Sequence, residues 1–141
     1  MKTLLVPIDG SENSLRALDF AASQGKHSPV ILHLLNVEPP LNDYGMVGAH
    51  LSRQQHGKMM KERAVAILKR ATARASLPQV ECRTHVVIGD VATTIAAAAR
   101  RLKCDSIVMG TRGMGRLANL LLGSVASKVV HLARVPVTLV K

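Results

Sequence analysis

The residues best placed to do chemistry are small rather than reactive. Met109 to Val125 contains Gly110, Gly113, Gly115 and Gly123, with Arg112 and Arg116 between them and Ser124 at the end. Ser106-Ile107-Val108 precedes it as an apolar run of strand type, and 126–133 follows with a helical pattern. A glycine-rich loop that leaves a strand and ends at a helix N-terminus offers backbone N–H groups and a partial positive charge, which together suit an anion such as phosphate. From Ser106 to the C-terminus there is no Asp or Glu to oppose that charge. The competing reading is that these glycines only satisfy turn geometry.

The elements that must position this loop follow from the hydrophobic pattern. Thr3 to Ile8 is a near-continuous apolar run, as in a strand buried on both faces. Asp9-Gly10-Ser11 makes a turn, with Ser11 or Asp9 to cap a helix carrying Leu15, Leu18, Ala21 and Ala22, which Gly25 ends. Val30 to Val37 reads as a second buried strand. Glu38-Pro39-Pro40 breaks the pattern, and residues 41–52, with the lone Tyr44, read as a loop. A long helix from about Ser52 to Ser76 follows, with Met60, Ala64, Ile67, Leu68, Ala71 and Ala75 as its apolar stripe. Glu81 to Ile88 is a third strand. Asp90 caps a helix bearing Val91, Ile95, Ala98, Ala99 and Leu102, Ser106 to Met109 is a fourth strand, and Val137 to Val140 a fifth.

Strands alternating with helices predict an α/β domain spanning 1–141, an open five-stranded parallel sheet with helices on both faces. Right-handed crossovers make 3-2-1-4-5 the natural strand order. Winding then reverses between strands 1 and 4, and a ligand crevice opens at their C-terminal ends. Asp9 and Met109-Gly110 fall there, so topology places the glycine-rich loop in the crevice independently of its glycines.

Composition narrows the chemistry. The chain has 141 residues, 48% of them apolar, enough for a globular core. One Phe, one Tyr and no Trp leave no aromatic platforms for stacking single-stranded bases. A net charge of +10, from 19 basic and 9 acidic residues, suits phosphorylated or polyanionic partners, or a solvated basic surface. Lys58, Lys61, Arg63, Lys69, Arg70 and Arg74 crowd the long helix against the single acid Glu62. Nucleic acid is therefore an alternative partner, though a solvated helix face is favoured because such charge carries no specificity. Cys82 and Cys104 form no C-x-x-C pair and read as reduced core residues. No run approaches a membrane span and Met1-Lys2-Thr3 opens no signal peptide, so a cytoplasmic protein without a membrane partner is expected.

Two nucleotide motifs are excluded. No stretch supplies Gly-x-x-x-x-Gly-Lys-Ser/Thr. Gly113-Met114-Gly115-Arg116-Leu117-Ala118 matches the dinucleotide fingerprint formally, but no acid follows it for a ribose and too little chain remains. No Ser-His-Asp or Cys-His set and no metal-ligand spacing can be argued. His33 and His85, on adjacent strands, could pair, and read as satisfied sheet histidines rather than a metal site. The acids near the crevice are Asp9 and Asp90, both with structural work as turn or cap residues. No catalytic residue is named, and an enzymatic role stays undecided, at most slow phosphoester turnover.

The remaining pattern is Gly110-x2-Gly113-x9-Gly123-Ser124 after a strand ending in Met109-Gly110. It resembles the signature of the universal stress protein family, in its ATP-binding branch. Val6-Pro7-Ile8-Asp9-Gly10-Ser11, Val30 to Val37, Val87-Ile88-Gly89-Asp90 and Val135-Pro136-Val137-Thr138-Leu139-Val140 agree with it. The resemblance implies a fold of the adenine nucleotide alpha hydrolase type and a stress-response or regulatory protein holding ATP. Asp9 and Pro7 would stand at the adenine and ribose end, and Val37 would meet adenine through its backbone. Met109 and Gly110 would lie along the ribose, with Gly113, Gly123, Ser124 and Val125 on the phosphates. Arg112 lies where the motif leaves the residue open and could add charge. Mg2+ on the phosphates is in keeping with the family, although no cluster of acids is dedicated to it. A homodimer formed through residues 137–140 is implied as well.

Overall fold

The computed structural model describes residues 1–40, 52–113 and 121–141. Residues 41–51 of the expected loop, with Tyr44, and residues 114–120 of the glycine-rich stretch, with Arg116, lie outside the described residues.

The strands are β1 (Lys2–Pro7), β2 (Val30–Glu38), β3 (Val80–Ile88), β4 (Ser106–Gly110) and β5 (Val137–Val140). The helices are α1 (Glu12–Ser23), α2 (Arg53–Arg74), α3 (Val91–Arg101) and α4 (Ser124–Leu132). All pairings are parallel and the order is β3-β2-β1-β4-β5, as the sequence predicts.

The apolar runs follow from this sheet. In β1, Leu4, Val6 and the following Ile8 face one core while Leu5 faces the other. Leu5 and Val6 have no exposed surface at all, and burying a side chain of that size contributes about 1.5–3 kcal/mol. α1 and α2 cover the first face through Ala17, Leu18, Ala21, Ala22, Ile67, Leu68, Ala71 and Ala75. α3 and α4 cover the second through Ala92, Ile95, Ala98, Ala99, Ala126 and Val129. The small alanines let these helices sit close to a sheet of large aliphatic side chains.

The caps settle the turns. Ser11 is the N-cap of α1, its Oγ accepting from Ser14 N–H at 3.2 Å, while Asp9 Oδ1 braces the turn by accepting from Ser11 N–H at 2.8 Å. Ser52 and Gln55 form a capping box on α2. Asp90 caps α3 through Thr93 N–H at 3.1 Å, and the Thr93 hydroxyl and amide bonds hold its carboxyl below the usual range. α1 stops at Ser23 and passes into a 3-10 turn, Gln24–Lys26, with Gly25 inside it. α2 ends at Arg74, where the guanidinium makes two bonds to Asp19 at 2.7 and 2.6 Å. Both partners are nearly half exposed, so solvent screening leaves this pair little weight in stability.

Cys104 is buried and its thiol is pushed up to about 11, by burial first and then by Asp105. Cys82 is only partly buried, at the rim of the core rather than within it, because β3 is an edge strand. Both are free thiols. Among the described residues no helix is long and apolar enough to cross a membrane.

Candidate functional site

Strand order alone separates the chain ends that follow β1 and β4, because α1 leaves one face and α4 returns on the other. Between them lies a cavity of about 500 Å³. Each of the ten residues singled out in the sequence lines it: Pro7, Asp9, Val37, Met109, Gly110, Arg112, Gly113, Gly123, Ser124 and Val125.

Pro7 closes β1, and Asp9 stands in the turn beyond it. Val37 sits at the end of β2, half-buried. Met109 and Gly110 end β4, both buried. Gly110 is packed against α1: a methyl group there would lie 2.9 Å from Asn13 Cβ and 3.0 Å from its carbonyl carbon and oxygen. Past it, Thr111 N–H donates to Val140 O at 3.0 Å and Gly123 N–H donates to Thr111 O at 2.6 Å. That second bond closes the glycine stretch into a loop whose two ends touch. Gly113 comes so near Asp9 that a Cβ would be 2.9 Å from the carboxylate Oδ2.

The N-terminus of α4 differs from those of the other three helices. Gly123 is its N-cap, in extended backbone, and no side chain among the described residues caps it. The first-turn residues Ser124, Val125 and Ala126 all line the cavity. No acid stands in that turn. The helix therefore presents orphan amides and its positive end to the cavity. Arg112 and Arg63 add cationic charge to the walls, and Asp9 and Glu38 are the carboxylates. Leu35, Ile95 and Ile8 supply a wide apolar wall. An apolar wall and uncapped amides in one cavity suit a flat heterocycle joined to a phosphate.

Sequence reasoning missed Arg63, Glu38 and Asn36. Glu38 and Asn36 flank Val37 on β2, so the end of that strand could have flagged them. Asn36 is buried, donates from Nδ2 to Ile8 O at 2.9 Å and so pins the end of β1 beside the cavity. Arg63 comes from α2, and nothing in its local pattern distinguishes it from the other cations there. Asp90, expected near the crevice, does not line the cavity, because its side chain is turned to the α3 cap. Its place among the crevice acids is taken by Glu38. His33 and His85 do pair, Nδ1 to Nε2 at 2.8 Å, outside the cavity. Among the described residues no group of three or more His, Cys, Asp or Glu could hold a metal ion.

Comparison with known proteins gives consistent results. A universal stress protein of Thermus aquaticus is 34% identical over 140 residues, covering 99% of this chain and 98% of the relative. The solved structure of the hypothetical protein MJ0577 superposes with a TM-score of 0.86 at 23% identity, covering 99% of this chain and 95% of that one. A universal stress protein crystallised in complex with cAMP superposes with a TM-score of 0.68 at 26% identity, again covering 99% and 95%. The model of the universal stress protein family matches residues 1–141, and the chain belongs to that family.

Proposed function

We propose that this protein binds ATP in the cavity between β1 and β4 and acts in a stress-response or regulatory role as a cytoplasmic homodimer. The observation that carries the reading is the uncapped N-terminus of α4, which lines one cavity with Gly113 and Asp9 at the sheet's switch point. The related structure that holds cAMP supports an adenine nucleotide as the ligand class. In this reading Pro7, Asp9 and Val37 hold the base and ribose end, and Met109 and Gly110 run along the ribose. Gly113, Gly123, Ser124 and Val125 take the phosphates by backbone N–H and hydroxyl, and Arg112 adds charge. Among the described residues the carboxylates on the walls are Asp9 and Glu38, and Asp9 Oδ1 already accepts from Ser11 N–H. A Mg2+ ion would therefore rest on phosphate oxygens and water rather than in a carboxylate cage.

We assign binding rather than hydrolysis. Turnover needs a group that positions water, and the acid beside the glycine loop is engaged in its own turn. Dimerisation is assigned to β5, an edge strand whose Leu139 is exposed. The test is to purify the protein, denature it and identify what is released. An adenine nucleotide at near-stoichiometric amount is the expected result, and a guanine or nicotinamide nucleotide in its place contradicts the assignment.

A second reading has its own observation. Arg53, Lys58, Lys61, Lys69 and Arg70 lie on the solvent side of α2, with Glu62 the one acid in that helix. A polyanion bound there would lose affinity steeply with salt, about 10³-fold between 50 and 200 mM for six phosphate contacts. Glycine-loop variants would leave that binding unchanged. Binding of duplex DNA or RNA that is flat in salt, or that vanishes with the glycine variants, rules this surface out.

A further inference from the structure

His33 and His85 take no part in the cavity, yet they form a built structure. His33 stands opposite Arg83 in the β2–β3 register, and His85 follows two residues on, on the same face. The facing nitrogens are 2.8 Å apart and the rings tilt by 36°. His33 is only 5% exposed. One ring must donate a proton and the other must accept, so the bond survives with both rings neutral or with one charged. It fails when both are protonated, because both facing nitrogens then carry hydrogen.

The surroundings oppose that second proton. From β3 the pair meets Arg83 and Glu81, and from α3 it meets Arg101. Glu81 is itself bonded to Arg83 at 2.7 Å, so the acid is shared. Burial chiefly, then His85 and Arg83, holds His33 below the usual imidazole value, with Glu81 opposing. Burial chiefly, then Arg101 and Arg83, does the same for His85. The unfolded chain therefore takes up protons near pH 6.5 that the folded chain refuses. Stability is complete above that pH and is lost as pH falls through the lower folded values.

Position turns this into a device. Among the described residues β3 is an edge strand, paired on one side only. It leads to Gly89, whose N–H donates to Glu38 O at 3.0 Å, and then into α3, whose Val91 and Ile95 line the cavity. We propose that the His33–His85 bond is a proton-sensitive clasp that holds β3 on the sheet and, on acidification, releases this edge and the cavity wall continuous with it. The effect on the wall rests on the cavity being the binding site, whereas the clasp itself does not.

Amide hydrogen exchange on the ligand-free wild-type chain at pH 7.5 and 5.5, corrected for intrinsic rates, tests the clasp without any nucleotide. The amides of β3 are expected to lose roughly tenfold in protection while those of β1 hold. Melting of the doubly substituted His33→Gln/His85→Gln chain gives a second reading, because glutamines hydrogen-bond without titrating in this range. Its melting temperature should fall by roughly 5 °C less than the wild type's over the same pH step. Unchanged β3 protection in the wild type, or an acid loss fully retained in the double variant, overturns the proposal. A variant that fails to fold leaves the exchange result to decide.

Discussion

Gly113→Ala combined with Gly123→Val is expected to reduce ATP affinity by at least about 100-fold, close to 2.7 kcal/mol, in a chain that still folds. A Cβ on Gly113 would stand 2.9 Å from Asp9 Oδ2, so the carboxylate must swing aside or the loop must lift. Either movement separates two walls that the ligand has to touch together. On Gly123 a Cβ would meet Thr111 O at 3.2 Å and Arg112 Cα at 3.3 Å, both of them backbone. Valine adds two methyl groups to that contact and pushes the start of α4 away from the loop that its own N–H bond closes. The orphan amides then no longer converge on one anion. Some stability is lost at the Gly123 contacts, which are with backbone, but the chain still folds. Gly10 at φ 86° is the only described glycine in left-handed backbone, so neither substitution forces a forbidden conformation. Titration calorimetry with ATP beside thermal melting separates the two effects. An affinity that survives in the folded double variant sinks the assignment of this loop to the phosphates.

Gly110→Ala should do the reverse and act on the fold. The added carbon would lie 2.9 Å from Asn13 Cβ and 3.0 Å from Asn13 C and O. A helix backbone cannot rotate out of the way as a side-chain tip can, so α1 must shift on β4. Overpacking of this kind costs about 1–3 kcal/mol. For a domain of this length that corresponds to a melting temperature lower by about 5–10 °C. Gly57 is the control. It lies within α2, where an added Cβ would meet no described residue within 4 Å, and Gly57→Ala should raise stability by about 0.5–1 kcal/mol. Equal melting temperatures for Gly110→Ala and the wild type would show that the β4–α1 contact is looser than this packing requires.

Much of this architecture is readable from the chain because local and global signals agree. Thr3 to Ile8 is apolar without alternation since β1 is buried on both faces, and that property, shared with β2, marks an interior strand of the sheet. Ser11, Ser52 and Asp90 mark helix starts by their own side-chain chemistry. The ten named residues come together in one cavity because they stand at the C-terminal ends of β1, β2 and β4 or at the start of α4, positions that strand order fixes. What local pattern could not convey is proximity across elements. Arg63 reaches the cavity from α2, and only packing reveals it. His56 is buried although its place in a polar stretch suggests exposure. Asp90 looked available to the crevice, yet its bonds to Thr93 commit it to a cap. Boundaries moved by a residue or two where pairing with the neighbouring strand extends an element, as at Val80, aligned with Val30, and at Gly110, aligned with Val140.

The most direct test is calorimetric titration of nucleotide-stripped wild-type protein with ATP, with GTP as the comparison. The binding account predicts saturable one-to-one heat with ATP and much weaker heat with GTP, since Val37 and Asp9 would meet the base. No saturable heat with ATP in a folded sample, or equal affinity for the two nucleotides, would contradict it.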